Sequence, residues 1–186
     1  MNKIKTIILL LLMFITIDIG NMNVVKYCIT EKLETTPTTD DIIISIEKLS
    51  NIKIPNYIDG NYIIFAYETA NEYDIPIDIA FRLIYTESRF KIGAMSSVGA
   101  KGLMQVMPKT FDYHVNKNNI NLDNLDDVEM NIKVGMSILK YQYERFGSWK
   151  NALIAYNAGA SYVYENKELP SNTKYYYKFI LNENKS

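Results

Sequence analysis

Ala80, Leu83, Ile84 and Glu87 stand at i, i+3, i+4 and i+7, the spacing of one helix face. Three apolar residues turn that face toward a core, and the fourth takes a carboxyl group with it. Burial strips water from a carboxylate and favours the neutral acid, which raises its pKa. The C-terminal end of a helix carries partial negative charge and pushes the same way. An acid kept protonated near neutral pH can hand a proton to a leaving oxygen and afterwards act as a base. The opposing reading is a helix-end Glu turned to solvent, or paired with Arg82 or Arg89. Spacing alone leaves both open.

Glycoside cleavage by water ordinarily needs two carboxyl groups. Between Glu87 and Asp123 the one acidic residue is Asp112, on a predicted helix beyond Pro108, where a solvated surface position explains it. The pattern therefore offers one carboxylate, and a reaction run on one needs its nucleophile from the substrate. The segment from Ser96 to Gln105 reads S-S-V-G-A-K-G-L-M-Q. Gly99 and Gly102 permit backbone shapes that other residues resist, and the Gln105 amide offers both a donor and an acceptor. No strand leads into this segment and no Gly-Lys-Ser/Thr closes it, so it is not a phosphate loop. Ala155-Tyr156-Asn157-Ala158-Gly159 closes another predicted helix, and Asn157 with Gly159 also makes a reasonable helix stop.

Together these pieces resemble one family. Glu87-Ser88-Arg89-Phe90, Ala94, Ser96, Gly99-Ala100, Gly102-Leu103-Met104-Gln105, Met107-Pro108 and Ala155 to Gly159 follow the order of the catalytic domain of soluble lytic murein transglycosylases. The resemblance runs from about Tyr57 to Leu181. It implies a mainly α, goose-lysozyme-like fold with a substrate groove. It implies a lyase that cuts peptidoglycan glycan strands between N-acetylmuramic acid and N-acetylglucosamine and leaves 1,6-anhydro ends. A muramidase using water on the same fold, and a non-catalytic glycan-binding module, are the rival readings. By the same resemblance Glu87 is the single acid/base. Ser96, Met104 and Gln105 line the groove near the cleaved sugar, Tyr156 and Asn157 place the muramic acid, and Tyr176 approaches Glu87 from the last helix. Family members often carry Glu-Thr before that helix, where this chain has Asn172-Thr173, so the docking of the helix, and Tyr176 with it, is the point to examine.

Helical periodicity must position these groups. A short helix is expected over Ile42–Leu49, capped by Asp40 or Asp41, and a longer one after Tyr57. The helix bearing Glu87 starts near Pro76, since proline is tolerated in a first turn. Further helices are expected from Pro108, from Val128 to Phe146 behind a polar Leu122–Asp127 turn, and from Trp149 to Asn157 behind Ser148. A last one follows Pro170-Ser171. No run of alternating strand pattern and no internal repeat is present.

The 186 residues suffice for one domain and a short extra segment. With 20 basic and 21 acidic residues there is no electrostatic footprint for nucleic acid. Cys28 and His114 are each alone of their kind, which excludes an intrachain disulfide and a His/Cys metal cluster. No metal or cofactor is expected. Lys3 and Lys5 precede an apolar run from Ile7 to about Ile17 that Asp18 interrupts, the form of a secretory signal or an uncleaved N-terminal anchor. Tyr27 stands where lipidation of Cys28 would call for a small residue. The expected organisation is a signal or anchor over 1–20, a linker with a possible short helix over 21–56, and a catalytic domain over 57–186. The product is expected to be an exported monomer of the periplasm or cell envelope, with a possible membrane tether.

Overall fold

Apolar periodicity, capped at both ends, sets the helices. The computed structural model describes residues 37–118 and 127–183, so the expected signal or anchor, and all but Asp127 of the Leu122–Asp127 turn, lie outside the described residues. Eight helices are present among them: α1 Thr39–Ser50, α2 Gly60–Glu72, α3 Ile77–Ser88, α4 Pro108–Asn118, α5 Val128–Phe146, α6 Trp149–Ala158, α7 Ser161–Tyr164 and α8 Ser171–Ile180. The Asp127 carboxylate accepts from the Met130 N–H at the start of α5, and the Ser148 hydroxyl accepts from the Asn151 N–H at the start of α6. Each satisfies a backbone donor that a helix start leaves without an intrahelical acceptor. Gly147 adopts a left-handed φ of 71° between them, which ends α5 at little steric cost. Two isolated antiparallel bridges, Met95 with Lys101 and Lys101 with Val106, are the only extended pairing among the described residues. None of the described helices is long and apolar enough to cross a membrane.

Five helices pack in a ring: α3 on α2, α2 on α5, α5 on α6, α6 on α8, and α8 back on α3. Ala70, Ala80, Leu83, Met136, Leu139, Leu153 and Ile180 fill it, all essentially without solvent contact. α1 lies against α2 and α3, and α4 against α5.

The compact unit begins at Thr39, ahead of residue 57, where the catalytic domain is expected to start. Ile46 is 0% exposed, and Ile52, Ile54 and Ile58 are also buried in the shared core. The stretch from 39 to 56 is thus part of the domain. Its apolar residues at helix spacing outweigh the turn formers just before it. Asp40 and Asp41 fall inside the first turn of α1, where acidic residues suit the helix dipole.

Gly135, in the middle of α5, marks the closest approach of that helix to the segment before α4. A Cβ there would lie 2.4 Å from the Met104 Cβ and 2.6 Å from its Cγ. Gly135→Ala gains helix propensity of roughly 1 kcal/mol but overpacks the core at a cost of about 1–3 kcal/mol. The net expectation is a Tm lowered by a few degrees in a circular-dichroism melt. An unchanged Tm would mean that the backbone at Met104 can shift to admit the methyl group.

Candidate active site

The Glu87 carboxyl is half-buried on α3, one turn after fully buried Leu83. Its helix ends abruptly. Arg89 and Phe90 have φ of 54° and 62°, a left-handed conformation that costs a non-glycine residue of order 1–3 kcal/mol. The turn is held from several sides. Arg89 N–H donates to Tyr85 O at 3.0 Å. The Tyr57 hydroxyl donates to Arg89 O, and the Phe90 ring is buried against Phe81 and Tyr85. Neither arginine pairs with Glu87. The Arg89 guanidinium lies 3.9 Å from the Tyr85 ring centroid, and Arg82 bonds elsewhere.

From α8 the Tyr176 hydroxyl donates to Glu87 Oε1. Burial drives the Glu87 pKa up to about 7, and the Tyr176 bond lowers it in part. The charge of Glu87 in turn adds to burial in pushing the Tyr156 and Tyr176 phenols well above their ordinary value. Both phenols therefore stay protonated, able to donate, across the range in which the acid titrates. Asp112 is exposed on α4, and among the described residues no second carboxylate acts on the titration of Glu87.

The segment 94–106 is folded against itself and fastened to two helices. Lys101 and Val106 exchange backbone bonds at 3.1 and 2.9 Å, and Gly102 N–H donates to Ala94 O at 2.8 Å. Asn131 of α5, 1% exposed, accepts from Met104 N–H and donates to Lys101 O, both at 2.9 Å. From α6 the Tyr156 hydroxyl donates to Met104 O at 2.7 Å. Gly102 is required twice over. Its φ is 75°, and a Cβ would lie 2.4 Å from the Asn131 amide.

The structure brings the expected residues together in different ways. Tyr176 meets Glu87 directly, and Tyr156 reaches it through charge. Ser96 turns its hydroxyl inward to accept from Ala100 N–H at 2.9 Å. Gln105 Nε2 donates to Ala94 O and Gly102 O at 3.1 and 3.0 Å. Asn157 is exposed, and its Oδ1 accepts from the Thr173 hydroxyl at 2.8 Å. Met104 needs correction as a groove-lining side chain. It is 0% exposed and reaches the site through its carbonyl, while Met107 is 39% exposed. The substitution at Asn172 leaves the last helix docked. Asn172 is exposed, whereas Thr173, Tyr176, Tyr177 and Ile180 are buried.

Asn131, Thr173 and Arg82 escaped the sequence reading. For Asn131 a signal existed: it is a polar residue on the face of α5 otherwise made of Val134, Gly135 and Ile138. No three His, Cys, Asp or Glu side chains gather as a metal would require among the described residues.

The helical fold matches that of solved lytic transglycosylases. The structure superposes on that of an inactive mutant of lytic transglycosylase Slt from Pseudomonas aeruginosa with a TM-score of 0.59 and 27% identity, covering 63% of this chain and 22% of that one. The chain belongs to the transglycosylase SLT domain family, whose model matches residues 64–179. Among curated proteins it is 38% identical over 95 residues to the soluble lytic murein transglycosylase of Escherichia coli K12. It is 31% identical over 90 residues to a transglycosylase of Enterobacteria phage PRD1. Each match takes in 48% of this chain, and it spans 15% of the bacterial relative and 32% of the phage one.

Proposed function

We propose that this chain is an exported lytic transglycosylase that cleaves the β-1,4 bond from N-acetylmuramic acid to N-acetylglucosamine in peptidoglycan and leaves 1,6-anhydro ends. The observation that carries the reading is Glu87: one half-buried acid whose pKa is pushed up to about 7, bonded by Tyr176 and, among the described residues, acted on by no second carboxylate. Residues 39–183 form the catalytic unit, and residues 1–20 serve as export signal or membrane anchor.

Protonated Glu87 donates to the glycosidic oxygen as the bond to the muramic acid anomeric carbon breaks. The substrate's own N-acetyl carbonyl stabilises the positive charge that develops there, in place of a second carboxylate. Glu87, now ionised, takes the proton from the C6 hydroxyl of the same sugar, and that oxygen closes on the anomeric carbon. No water is consumed and the acid is regenerated. Tyr156, Asn157, Ser96 and Gln105 hold the sugar in place, a proximity effect, and Met104 supports them through its carbonyl.

The protein incubated with purified peptidoglycan should release fragments ending in 1,6-anhydro-N-acetylmuramic acid, read by mass spectrometry. Fragments one water heavier would make it a muramidase instead.

The pH dependence follows from the state of the acid. Cleavage needs Glu87 protonated at the start, so kcat/KM is expected to be flat below about pH 7 and to fall above it. An ordinary glutamate would lose its proton more than two units lower. A fall centred near pH 4.5 would show that the proton donor is a carboxyl with its ordinary pKa, against a Glu87 raised by burial.

A further inference from the structure

Arg82 lies on α3, five residues before Glu87, with its side chain 5% exposed. Nε donates to Ser50 O at 2.8 Å, and Nη2 to Leu49 O at 3.4 Å. Nη1 donates to Ile180 O at 3.0 Å and to the Asp78 carboxylate at 3.0 Å. Leu49 and Ser50 are the last two residues of α1, and Ile180 is the last of α8. One buried cation thus meets the carbonyl ends of two helices, where aligned backbone dipoles leave partial negative charge and orphan acceptors. Bonds from a charged donor to such acceptors are roughly twice as strong as neutral ones. Asp78, one turn earlier on α3, balances the charge.

Ile180 stands one turn beyond Tyr176 on α8. The bond from Arg82 to Ile180 O therefore fixes how far α8 can slide along α3. That slide is the coordinate on which the Tyr176 hydroxyl meets or misses Glu87. α1, the other helix held, precedes residues 64–179, the stretch that carries the family match.

The geometry points to Arg82 as a positioning residue that locks α1 and α8 onto α3 and so keeps the Tyr176 hydroxyl on Glu87. The inference rests on the acid role proposed for Glu87. Among the described residues, the groups acting on the titration of Glu87 or acted on by its charge are the Tyr176 hydroxyl from α8 and Tyr156 from α6, and Arg82 is not one of them. A change at residue 82 that keeps the charge can reach Glu87 only through position. Because the Tyr176 bond lowers the Glu87 pKa, loosening it raises that pKa.

The test is an NMR titration of the full chain carrying δ-13C glutamate, with the Glu87 signal identified by its loss in Glu87→Gln. Arg82→Lys keeps the charge but cannot span three carbonyls. Its Glu87 is expected to titrate higher than in the wild type by roughly 0.5–1 pH unit, the equivalent of one net hydrogen bond. Tyr176→Phe should give a similar rise, and the two changes combined should give no more than Tyr176→Phe alone. A merely structural Arg82 would lower the Tm and leave the Glu87 titration at its wild-type value, which overturns the inference. Should Arg82→Lys fail to fold, the same titration is read on Arg82→Gln with and without Tyr176→Phe, since glutamine cannot span the three carbonyls. An unshifted Glu87, or a rise that persists undiminished beside Tyr176→Phe, again overturns the inference. The titration needs no substrate. A protein whose Glu87 shifts as expected but which cuts no glycan refutes the proposed function and leaves the Arg82 clamp standing.

Discussion

Glu87→Gln is expected to lower cleavage of peptidoglycan by roughly 10²–10⁴-fold, the usual worth of a positioned general acid, while the fold persists. Glutamine fills the same space and can accept the Tyr176 hydrogen bond, but it has no proton to give to the glycosidic oxygen. The variant has a second consequence, with a sign that follows from linkage. The folded-state pKa of Glu87 lies at about 7, above the ordinary 4.5. The folded protein therefore holds a proton between those values that the unfolded chain releases, and stability falls as pH rises from about 4.5 to 7. Above pH 7 the full penalty of the half-buried carboxylate is present, an upper bound of about 3 kcal/mol by that shift. Gln carries no such penalty. At pH 8 the inactive variant should melt higher than the wild type, and at pH 4 the two should melt together. Equal melting temperatures at both pH values would mean that the carboxyl is solvated as an ordinary glutamate.

Asn131→Ala should do the opposite and lose activity and stability together. The side chain satisfies Met104 N–H and Lys101 O at once, and its removal leaves both without that partner in a buried place. The orphaned Met104 N–H costs on the order of 1–3 kcal/mol, and the bond lost by Lys101 O, which keeps the Val106 N–H, about 0.5–1.5 kcal/mol. A total of about 3 kcal/mol in a domain of this size corresponds to a Tm lower by roughly 6–12 °C. The segment that loosens carries Gln105 and the carbonyl that holds Tyr156, so cleavage should fall by up to about 10²-fold, as a misplacement of the order of an ångström can produce. Asn131→Asp offers the acceptor without the donor and buries a charge, so it should not rescue. A variant that kept both full activity and the wild-type Tm would show that the segment is held by its own backbone bonds alone.

Periodicity and capping placed most of the helices before any coordinates, because each signal is local. Asp127, Ser148 and Gly147 act on backbone groups within four residues of themselves. Glu87 was legible for the same reason, since its burial follows from the face it shares with Leu83 and Ile84. Long-range contacts were not legible. Arg82 reads as a candidate partner for Glu87 until its acceptors, the carbonyl ends of two other helices, are brought to it. Met104 reads as an exposed thioether beside Gln105 until Gly135 shows why that side chain points inward. The full length of α1 is not legible, because the turn formers from Thr35 to Asp41 mask its first residues and its only buried apolar anchor is Ile46.

The hydrogen bond from Tyr176 to Glu87 joins residues 89 apart in the chain, and Arg82 reaches Ile180 across 98. Closing spans of that length follows the local helices in time, because the chain entropy must be surrendered before the contact exists. In refolding, cleavage should return later than the far-ultraviolet signal of the helices. During synthesis the hydroxyl that tempers the acid follows it by 89 residues. A ribosome-bound chain that stops before α8 therefore carries Glu87 without the Tyr176 hydrogen bond.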